Sequence, residues 1–357
     1  MIETIDNLCL AVRQHDASDL FLHEGALPQI RLRGELMNIG ETVINQQTIN
    51  AFWKHVGGGE HDLDCDTSYV ASDGGRFRVN LFQYLGQRGA VLRQIKLEIP
   101  GLEALHLPAS LLTEWVQRPA GLVIVAGRTG SGKSTTLAST LQWLNQHHPR
   151  HVVTIEDPIE YLFQNEQSLF TQREVGLDTG SFAEGLRRAL RQSPDVILVG
   201  EIRDRATAET ALHAVETGHL VMTTLHSANV VETLERLQLI FPENERAGVQ
   251  RLLANLLLGI LCQRLVPTTK GTQVPIIETF QNEGVSRKYL MEGRSSEIRD
   301  LIERGEHAQN RAFLSSLAEM VRGGVITRET AAEHAENPAE LSRALRGISN
   351  TSVITTA

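Results

Sequence analysis

Eight residues, Gly127 to Ser134, read GRTGSGKS and match the phosphate-binding pattern G-x-x-x-x-G-K-[ST]. Such a loop wraps its backbone N–H groups around the β-phosphate of a nucleotide, and the following helix N-terminus adds its dipole. Lys133 would then reach the β- and γ-phosphates, and the Ser134 hydroxyl would ligate Mg²⁺. We therefore predict an ATP and Mg²⁺ site that comprises Gly127, Arg128, Thr129, Gly130, Ser131, Gly132, Lys133, Ser134 and Thr135.

Acidic residues follow two apolar runs further along the chain. The segment VTIEDPIE places Glu156, Asp157 and Glu160 after one run, and DVILVGEIRD places Glu201 after another. A phosphate-binding-loop enzyme needs acids at such strand ends to hold Mg²⁺ and to orient water. Gly200 stands where the usual Walker-B pattern has an aspartate, so this version is atypical. The alternatives are a helix N-cap for Glu201 and a D-P turn for Glu156 and Asp157.

Histidine and arginine add further candidates. In TGHLVMTTLHS, His219 precedes an apolar run and His226 follows it, which places His226 at the end of a strand where open α/β sheets form nucleotide sites. We expect His226 either to sense the γ-phosphate or to be a structural residue. Arginines are candidates for neutralising phosphate charge, and those considered are Arg78, Arg93, Arg187, Arg188, Arg191 and Arg203.

The apolar runs around these residues predict the elements that position them. Short runs that alternate with helical segments indicate a parallel sheet covered on both faces, and they span residues 121–126, 152–155, 196–199 and 220–225. After residue 244 the pattern predicts mostly helices, over residues 246–263, 297–304 and 311–322 and near Glu329, followed by a polar tail over 348–357.

The first hundred residues show a different pattern, typical of a small mixed domain. Helical spacing is found at residues 5–12 and 46–56. Alternating segments predict strands at 18–24, 29–33, 76–84 and 90–96, the last two forming an antiparallel hairpin. Arg78 and Arg93 lie on the outward positions of that hairpin. Two prolines and a glycine make residues 99–108 the predicted linker.

Composition restricts the function classes. The 357-residue chain has 41% apolar residues, 22% charged residues and a formal net charge of −9, which is typical of a globular protein and gives no overall attraction for nucleic acid. Its three cysteines form no C-x-x-C pair, so neither a zinc site nor a disulfide framework is expected. No signal peptide or transmembrane segment is recognised. We expect a soluble, cytoplasmic protein.

Together the motifs resemble the secretion ATPase superfamily, and specifically the PilT-like motor ATPases of bacterial type IV pili. SDLFLHEGALPQIRLRGEL resembles the opening strands of that family, and RFRVN with AVLRQI resembles its N-terminal arginine arm. GRTGSGKSTT resembles its Walker A, VTIEDPIEYL its aspartate box, DVILVGEIRD its Walker B and ETGHLVMTTLHS its histidine box. The resemblance covers nearly the whole chain.

This resemblance implies an α/β protein with a PAS-like N-terminal domain, residues 1–98, and a RecA-like ATPase domain with a helical C-terminal part, residues 109–347. It implies a ring-shaped homohexamer in which nucleotide binds between the two domains. Arg78 and Arg93 would reach the phosphates, Glu160 would activate water and Glu201 would be linked to Mg²⁺, although the division of roles between the two glutamates stays open.

The same resemblance suggests a motor for pilus retraction. Extension and type II secretion ATPases add a long N-terminal region and a four-cysteine zinc insertion, which this sequence lacks. Residues 285–293 read VSRKYLMEG where retraction ATPases typically resemble A-I-R-N-L-I-R-E-G, so an accessory paralogue stays an alternative. The implied partners are an inner-membrane platform protein and a paralogous pilus ATPase. A hexameric DNA translocase is the other alternative, disfavoured by the acidic charge.

Overall fold

The computed structural model describes residues 2–32, 34–59, 61–95, 98–305 and 309–346, so the predicted tail over 348–357 lies outside the described residues. The chain divides into two compact units. The first unit comprises Met1–Glu98, Pro158–Phe163 and Gly176–Asp178. The second unit comprises Ile99–Asp157, Gln164–Val175 and Thr179–Ala357.

The first unit is a small α+β domain. Its elements are α1 (Ile2–Gln14), β1 (Asp19–His23), β2 (Gln29–Leu32), β3 (Glu35–Asn38), α2 (Gln46–His55), β4 (Asp64–Val70), β5 (Arg76–Tyr84) and β6 (Gln87–Gln94). Within the described residues the strands form one six-stranded antiparallel sheet in the order β3-β2-β1-β6-β5-β4. The predicted helices and the predicted β5–β6 hairpin are confirmed, whereas β3 and β4 were not predicted.

Helical periodicity explains why α1 and α2 cover this sheet. The buried residues of α1 are Ile5, Cys9 and Val12, which share one face because they are three or four positions apart. The corresponding face of α2 contains Ile49, Phe52 and Trp53. These two faces and alternate residues of the strands form a single apolar core.

The second unit is an α/β domain with a helical end. Its first elements are α3 (Ala109–Gln117), β7 (Gly121–Ala126), α4 (Lys133–His147), β8 (His151–Glu156), β9 (Leu169–Glu174), α5 (Phe182–Ala189), β10 (Val196–Val199), α6 (Arg205–Glu216), β11 (Leu220–Leu225) and α7 (Val230–Leu239). They continue with α8 (Glu243–Leu256), β12 (Leu257–Pro267), β13 (Gln273–Gln281), α9 (Val285–Glu292), α10 (Ser295–Arg304), α11 (Phe313–Arg322), α12 (Arg328–His334) and α13 (Pro338–Leu345). No helix in the described ranges is long and apolar enough to cross a membrane.

The strands of the second unit pair in the order β13-β12-β7-β11-β10-β8-β9 as far as the chain is described. Every residue of β7, β10 and β11 is buried, as expected for parallel strands covered on both faces. All neighbouring strands run parallel except β12 and β13, which are antiparallel. The parallel strands therefore present their carboxyl ends along one edge of the sheet, and the predicted RecA-like fold class is confirmed.

The predicted helix over residues 246–263 is wrong beyond Leu256. Helix α8 ends at Leu256, and Leu257 adopts extended backbone angles. From there the chain continues as β12, paired on one side with β7 and on the other with β13. A continuous apolar run fits a buried strand as well as a buried helix, and periodicity alone does not separate them. Strands β12 and β13 therefore extend the sheet on the outer side of β7.

Gly259 on β12 tests this assignment. A Cβ atom at this position would lie 2.2 Å from the Trp115 ring and 2.6 Å from the Phe280 carbonyl oxygen. We expect Gly259→Ala to lower the free energy of unfolding by about 2 kcal/mol because neither backbone nor indole can give way cheaply. Urea unfolding of the purified chain measures this loss.

Gly248 provides the matched control. It lies inside α8 and a Cβ atom added there would meet nothing within 4 Å. Gly248→Ala should raise stability by roughly 0.5–1 kcal/mol through helix propensity. Equal effects of the two substitutions would contradict the close packing of β12 against Trp115.

Candidate nucleotide-binding site

The loop between β7 and α4 has the backbone conformation of a phosphate-binding loop. Gly130 and Gly132 have φ angles of 78° and 86°, which glycine adopts without the cost that a side chain imposes. Position 127 requires glycine because Ser131 and Gln263 pack closely against its backbone: a Cβ atom there would lie 2.4 Å from Ser131 Oγ and 2.5 Å from the Gln263 carbonyl oxygen. Gly132 then caps α4, whose first helical residue is Lys133. Glycines thus shape a tight turn that ends on a helix N-terminus.

Lys133 is 8% exposed, which is unusual for a lysine. Its Nζ donates hydrogen bonds to the carbonyl oxygens of Gly127 at 3.0 Å and Arg128 at 3.1 Å. The ammonium group therefore lies inside the loop, against the backbone of the loop's own first residues. A cation held there is placed to interact with phosphate oxygens that enter the turn.

Glu201 follows β10 and is 7% exposed. The backbone around it is fixed from both sides, because the Gly200 N–H donates to the Ile155 carbonyl at 2.8 Å and Thr224 Oγ1 donates to the Gly200 carbonyl at 2.6 Å. A Cβ atom on Gly200 would approach Phe182 to 3.2 Å, which accounts for glycine in the atypical Walker-B position. The alternative N-cap role is excluded because Asp204 caps α6.

His226 follows β11 and contacts Glu201. Its Nε2 lies 3.0 Å from Glu201 Oε2. Burial, followed by the charges of Lys133, Arg236 and Arg203, lowers the pKa of His226. The imidazole is therefore neutral at pH 7, and Nε2 must carry the proton in order to donate to the carboxylate. The contact is a hydrogen bond from a neutral histidine and not an ion pair.

The strand order explains why these three side chains come together. Strand β11 lies between β7 and β10, so His226 lies between the loop that follows β7 and Glu201, which follows β10. Lys133 is close enough for its charge to act on His226. Arg203 pairs with Glu201 as well. The edge of the sheet thus brings the loop that contains Lys133 close to the Glu201 carboxylate. That carboxylate is bonded to the neutral imidazole of His226 and to the guanidinium of Arg203.

The other acidic candidates, Glu156, Asp157 and Glu160, differ from Glu201 in their contacts and burial. Glu156 ends β8, and its Oε1 accepts hydrogen bonds from Thr154 Oγ1 at 2.7 Å and Gln172 Nε2 at 3.3 Å. Asp157 and Glu160 are exposed. Glu160 belongs to the Pro158–Phe163 segment, which is counted with the first unit. Its water-activating role stays a prediction.

His219 lies at the opposite end of β11 from His226. Its Nδ1 contacts the Ala214 carbonyl oxygen at 3.0 Å and Thr217 Oγ1 at 3.2 Å. These contacts close the turn between α6 and β11. His219 is therefore a structural residue that lies away from the loop.

Arg78 and Arg93 are direct neighbours across the β5–β6 pair of the first unit. Arg93 Nε donates to Asp19 Oδ1 at 2.7 Å, and Asp19 is 2% exposed. Arg78 has a weaker partner, Asp66, at 3.8 Å. Arg93 therefore neutralises a buried carboxylate within its own unit, a structural task that the sequence did not reveal.

The remaining arginine candidates on α5 make local contacts. Arg187 Nε donates to the Ala183 carbonyl oxygen at 3.2 Å, and Arg188 pairs with Glu184 at 3.4 Å. Arg191 is exposed just beyond the helix. None of these contacts distinguishes the three from ordinary surface arginines.

Gln263 was missed by the sequence analysis. It is 1% exposed, and its side chain contacts both Ser131 in the loop and Thr136 in α4. Its residue type and position carried no local signal, because the contacts join residues more than 120 positions apart. The contact becomes visible only in the folded structure, where β12 pairs with β7, the strand that precedes the loop.

Two observations fit this site to nucleotide phosphate. The buried Ser131 hydroxyl has no hydrogen-bond partner in the described part of the chain, and the glycines leave a turn that side chains would fill.

Among the described residues no group of three or more histidine, cysteine, aspartate or glutamate side chains could hold a metal ion. Magnesium in phosphate-binding-loop enzymes needs few protein ligands, because phosphate oxygens and water supply the others. Ser134 and Glu201 are the residues that would hold it.

Comparison with known proteins identifies the family of this chain. Residues 71–339 match the family described as type II/IV secretion system protein. The chain is 37% identical to the type IV pilus ATPase PilU of Pseudomonas aeruginosa over 91% of this chain and 86% of PilU. It is also 37% identical to the type IV pilus retraction ATPase PilT of the same organism, over 90% of this chain and 95% of PilT.

Solved structures give the same result. The crystal structure of the pilus retraction motor PilT with bound ADP superposes with a TM-score of 0.86 at 38% identity, covering 95% of this chain and 99% of that chain. The Legionella pneumophila ATPase DotB superposes with a TM-score of 0.80 at 29% identity, covering 92% of this chain and 94% of that chain. The chain belongs to the type II/IV secretion system protein family and is homologous to the PilT and PilU pilus ATPases.

Proposed function

We propose that this protein is an Mg²⁺-dependent ATPase that works as a homohexameric motor in type IV pilus retraction. The observation that supports this most is the position of Lys133, inside a glycine-shaped loop and next to the hydrogen-bonded pair of His226 and Glu201. That arrangement combines a loop suited to phosphate with an acid at the end of β10, on the same edge of the sheet, and hydrolysis requires both. The relatives PilT and PilU, both pilus ATPases by name, support the biological setting.

Each residue has a proposed task. Lys133 and the loop N–H groups would bind the β- and γ-phosphates, and Ser134 would contribute a hydroxyl to Mg²⁺. Glu201 would order Mg²⁺ through water, with His226 and Arg203 fixing its two carboxylate oxygens. Glu160 would activate the attacking water, and Arg78 and Arg93 would neutralise phosphate charge, tasks that rest on the family resemblance.

The proposed partners rest on the family resemblance. PilT and PilU match at the same identity, so the proposal includes both a principal retraction motor and an accessory paralogue that supports one. We propose docking on the inner-membrane platform protein of a pilus machine, with the ATPase on the cytoplasmic side. A second pilus ATPase is the other proposed partner.

The first prediction from this proposal concerns Lys133. Lys133→Ala should reduce steady-state ATP hydrolysis by about a hundredfold or more, because it removes the positive charge that faces the β- and γ-phosphates. Phosphate release by the purified chain is the measurement. Lys270→Ala is the control, because Lys270 is an exposed lysine between β12 and β13. Turnover near the wild-type rate in Lys133→Ala would overturn the site.

The second prediction separates chemistry from binding. Glu201→Gln keeps the size of the side chain and removes its charge, so hydrolysis should fall by about a hundredfold or more while ATP still binds. Glu160→Gln should behave in the same way if that residue activates water. ATP affinity and turnover are measured on the same preparations.

Glu209→Gln is the matched control for Glu201, since Glu209 is an exposed helical acid that pairs with Arg205. It should leave both affinity and turnover unchanged. Loss of ATP binding in both the Glu201 and Glu160 variants would show that these acids are structural and would contradict the proposed roles.

The third prediction concerns the arginine arm. Arg78→Ala should lower hydrolysis without lowering the melting temperature, because its partner Asp66 is exposed and needs no neutralisation. Arg93→Ala should lower the melting temperature as well, because the buried Asp19 carboxylate loses its closest guanidinium and keeps the Ser18 hydroxyl at 2.7 Å and Arg31 at 3.8 Å. Arg76→Ala, two residues from Arg78 on the same strand, is the control. An unchanged rate in Arg78→Ala would refute the phosphate contact.

A further inference from the structure

The side chain of Gln263 forms a bridge beneath the nucleotide loop. Its Nε2 donates to the Ser131 carbonyl oxygen, and its Oε1 accepts from Thr136 Oγ1 at 2.8 Å. Ser131 belongs to the loop, whereas Thr136 lies in the first turn of α4. With 1% exposure, the amide has no water to replace these partners.

The orientation of this amide is fixed by the chemistry of its partners. A backbone carbonyl oxygen can only accept a hydrogen bond, so the NH₂ group must face Ser131. The Oε1 atom is then left for Thr136, whose hydroxyl can donate. Rotating the amide by 180° would place two acceptors against each other at Ser131. Both hydrogen bonds therefore hold the same orientation.

The bond to Ser131 also determines the direction of a loop N–H group. The Ser131 carbonyl and the Gly132 N–H belong to one planar trans peptide, in which they point in opposite directions. Because Gln263 holds the carbonyl, the Gly132 N–H points away from Gln263. Gly132 has a φ of 86°, a glycine conformation in which the peptide could otherwise rotate easily.

Gln263 also packs against both glycines that bound the loop, Gly127 through its backbone and Gly132 through its side chain. Its carbonyl oxygen would lie 2.5 Å from a Cβ atom on Gly127, and its Nε2 would lie 3.0 Å from a Cβ atom on Gly132. The residue thus packs against the first and the sixth positions of the loop at once. A side chain at either position would therefore be forced against Gln263.

We propose that Gln263 is a positioning residue for the nucleotide, which orients the Gly132 N–H toward the β-phosphate of a nucleoside diphosphate or triphosphate. This inference rests on the proposed function of the same loop. Gln263 itself contacts no phosphate. It acts through the Ser131–Gly132 peptide, so its effect should depend on the presence of a β-phosphate.

The test compares ADP with AMP, because AMP lacks the β-phosphate. Gln263→Met keeps the length and burial of the side chain but loses the donor to Ser131. Titration calorimetry of the full chain with Mg²⁺ should show ADP affinity about tenfold weaker, the size of one lost hydrogen bond, with AMP affinity unchanged.

Gln281→Met is the matched control. Gln281 is also a buried glutamine, but it pairs with Gly259 at the start of β12, four residues from Gln263. It should leave the ratio of ADP to AMP affinity at the wild-type value. Thr136→Val is a milder second variant, since it removes only the hydroxyl that anchors the amide, and it should lower the same ratio even if Gln263→Met folds poorly.

Three outcomes are distinguishable. A lower ratio in Gln263→Met or Thr136→Val, with the control unchanged, supports the inference. A wild-type ratio in both variants overturns it and leaves the proposed function intact. Failure of the wild-type chain to bind either ADP or ATP would overturn the proposed function and this inference with it.

Discussion

Parallel pairing of β7, β11 and β10 is the constraint on which the site depends. Parallel strands present their carboxyl ends along one edge, so the loop, His226 and Glu201 meet although long segments of chain separate them. All three strands are buried along their whole length, as parallel strands covered on both faces are. The apolar core therefore holds the polar groups in register, and a change that shifts β11 would displace His226 relative to both neighbours.

Buried charge is the cost of this arrangement, and the structure offsets it locally. Lys133 bonds loop carbonyl oxygens, while Glu201 bonds His226 and Arg203. An unpaired charge at either position would be strongly unfavourable. The lysine is held by backbone carbonyl groups of its own loop. The carboxylate, by contrast, is already held by two side chains and so is preorganised.

Much of this could be predicted from the sequence, because the signals are local. The loop is a contiguous motif, and the buried strands β7, β10 and β11 are short apolar runs. Strands β3, β4 and β9 were missed because they carry little apolar pattern; β3 is exposed along its whole length and contains Leu36 and Met37 at the surface. Strand β12 was taken for a helix because its apolar run continues directly from α8.

Contacts between residues that are far apart in the chain could not be predicted from the sequence, for a different reason. Gln263 and Ser131 are 132 residues apart, and nothing near either residue predicts their contact. The same holds for Arg93, whose partner Asp19 lies on a neighbouring strand but 74 residues away. Which arginines neutralise a buried carboxylate and which face solvent follows from packing, and packing is specified by the whole chain.

We propose that the loop, His226 and Glu201 act together in ATP hydrolysis. The decisive measurement for this proposal is steady-state hydrolysis by the purified protein in the presence of Mg²⁺. If the proposal holds, ADP and phosphate are released at a rate that saturates with ATP, and their release stops when the metal is chelated. Tight binding of ATP without any turnover above a preparation that lacks the chain would contradict it.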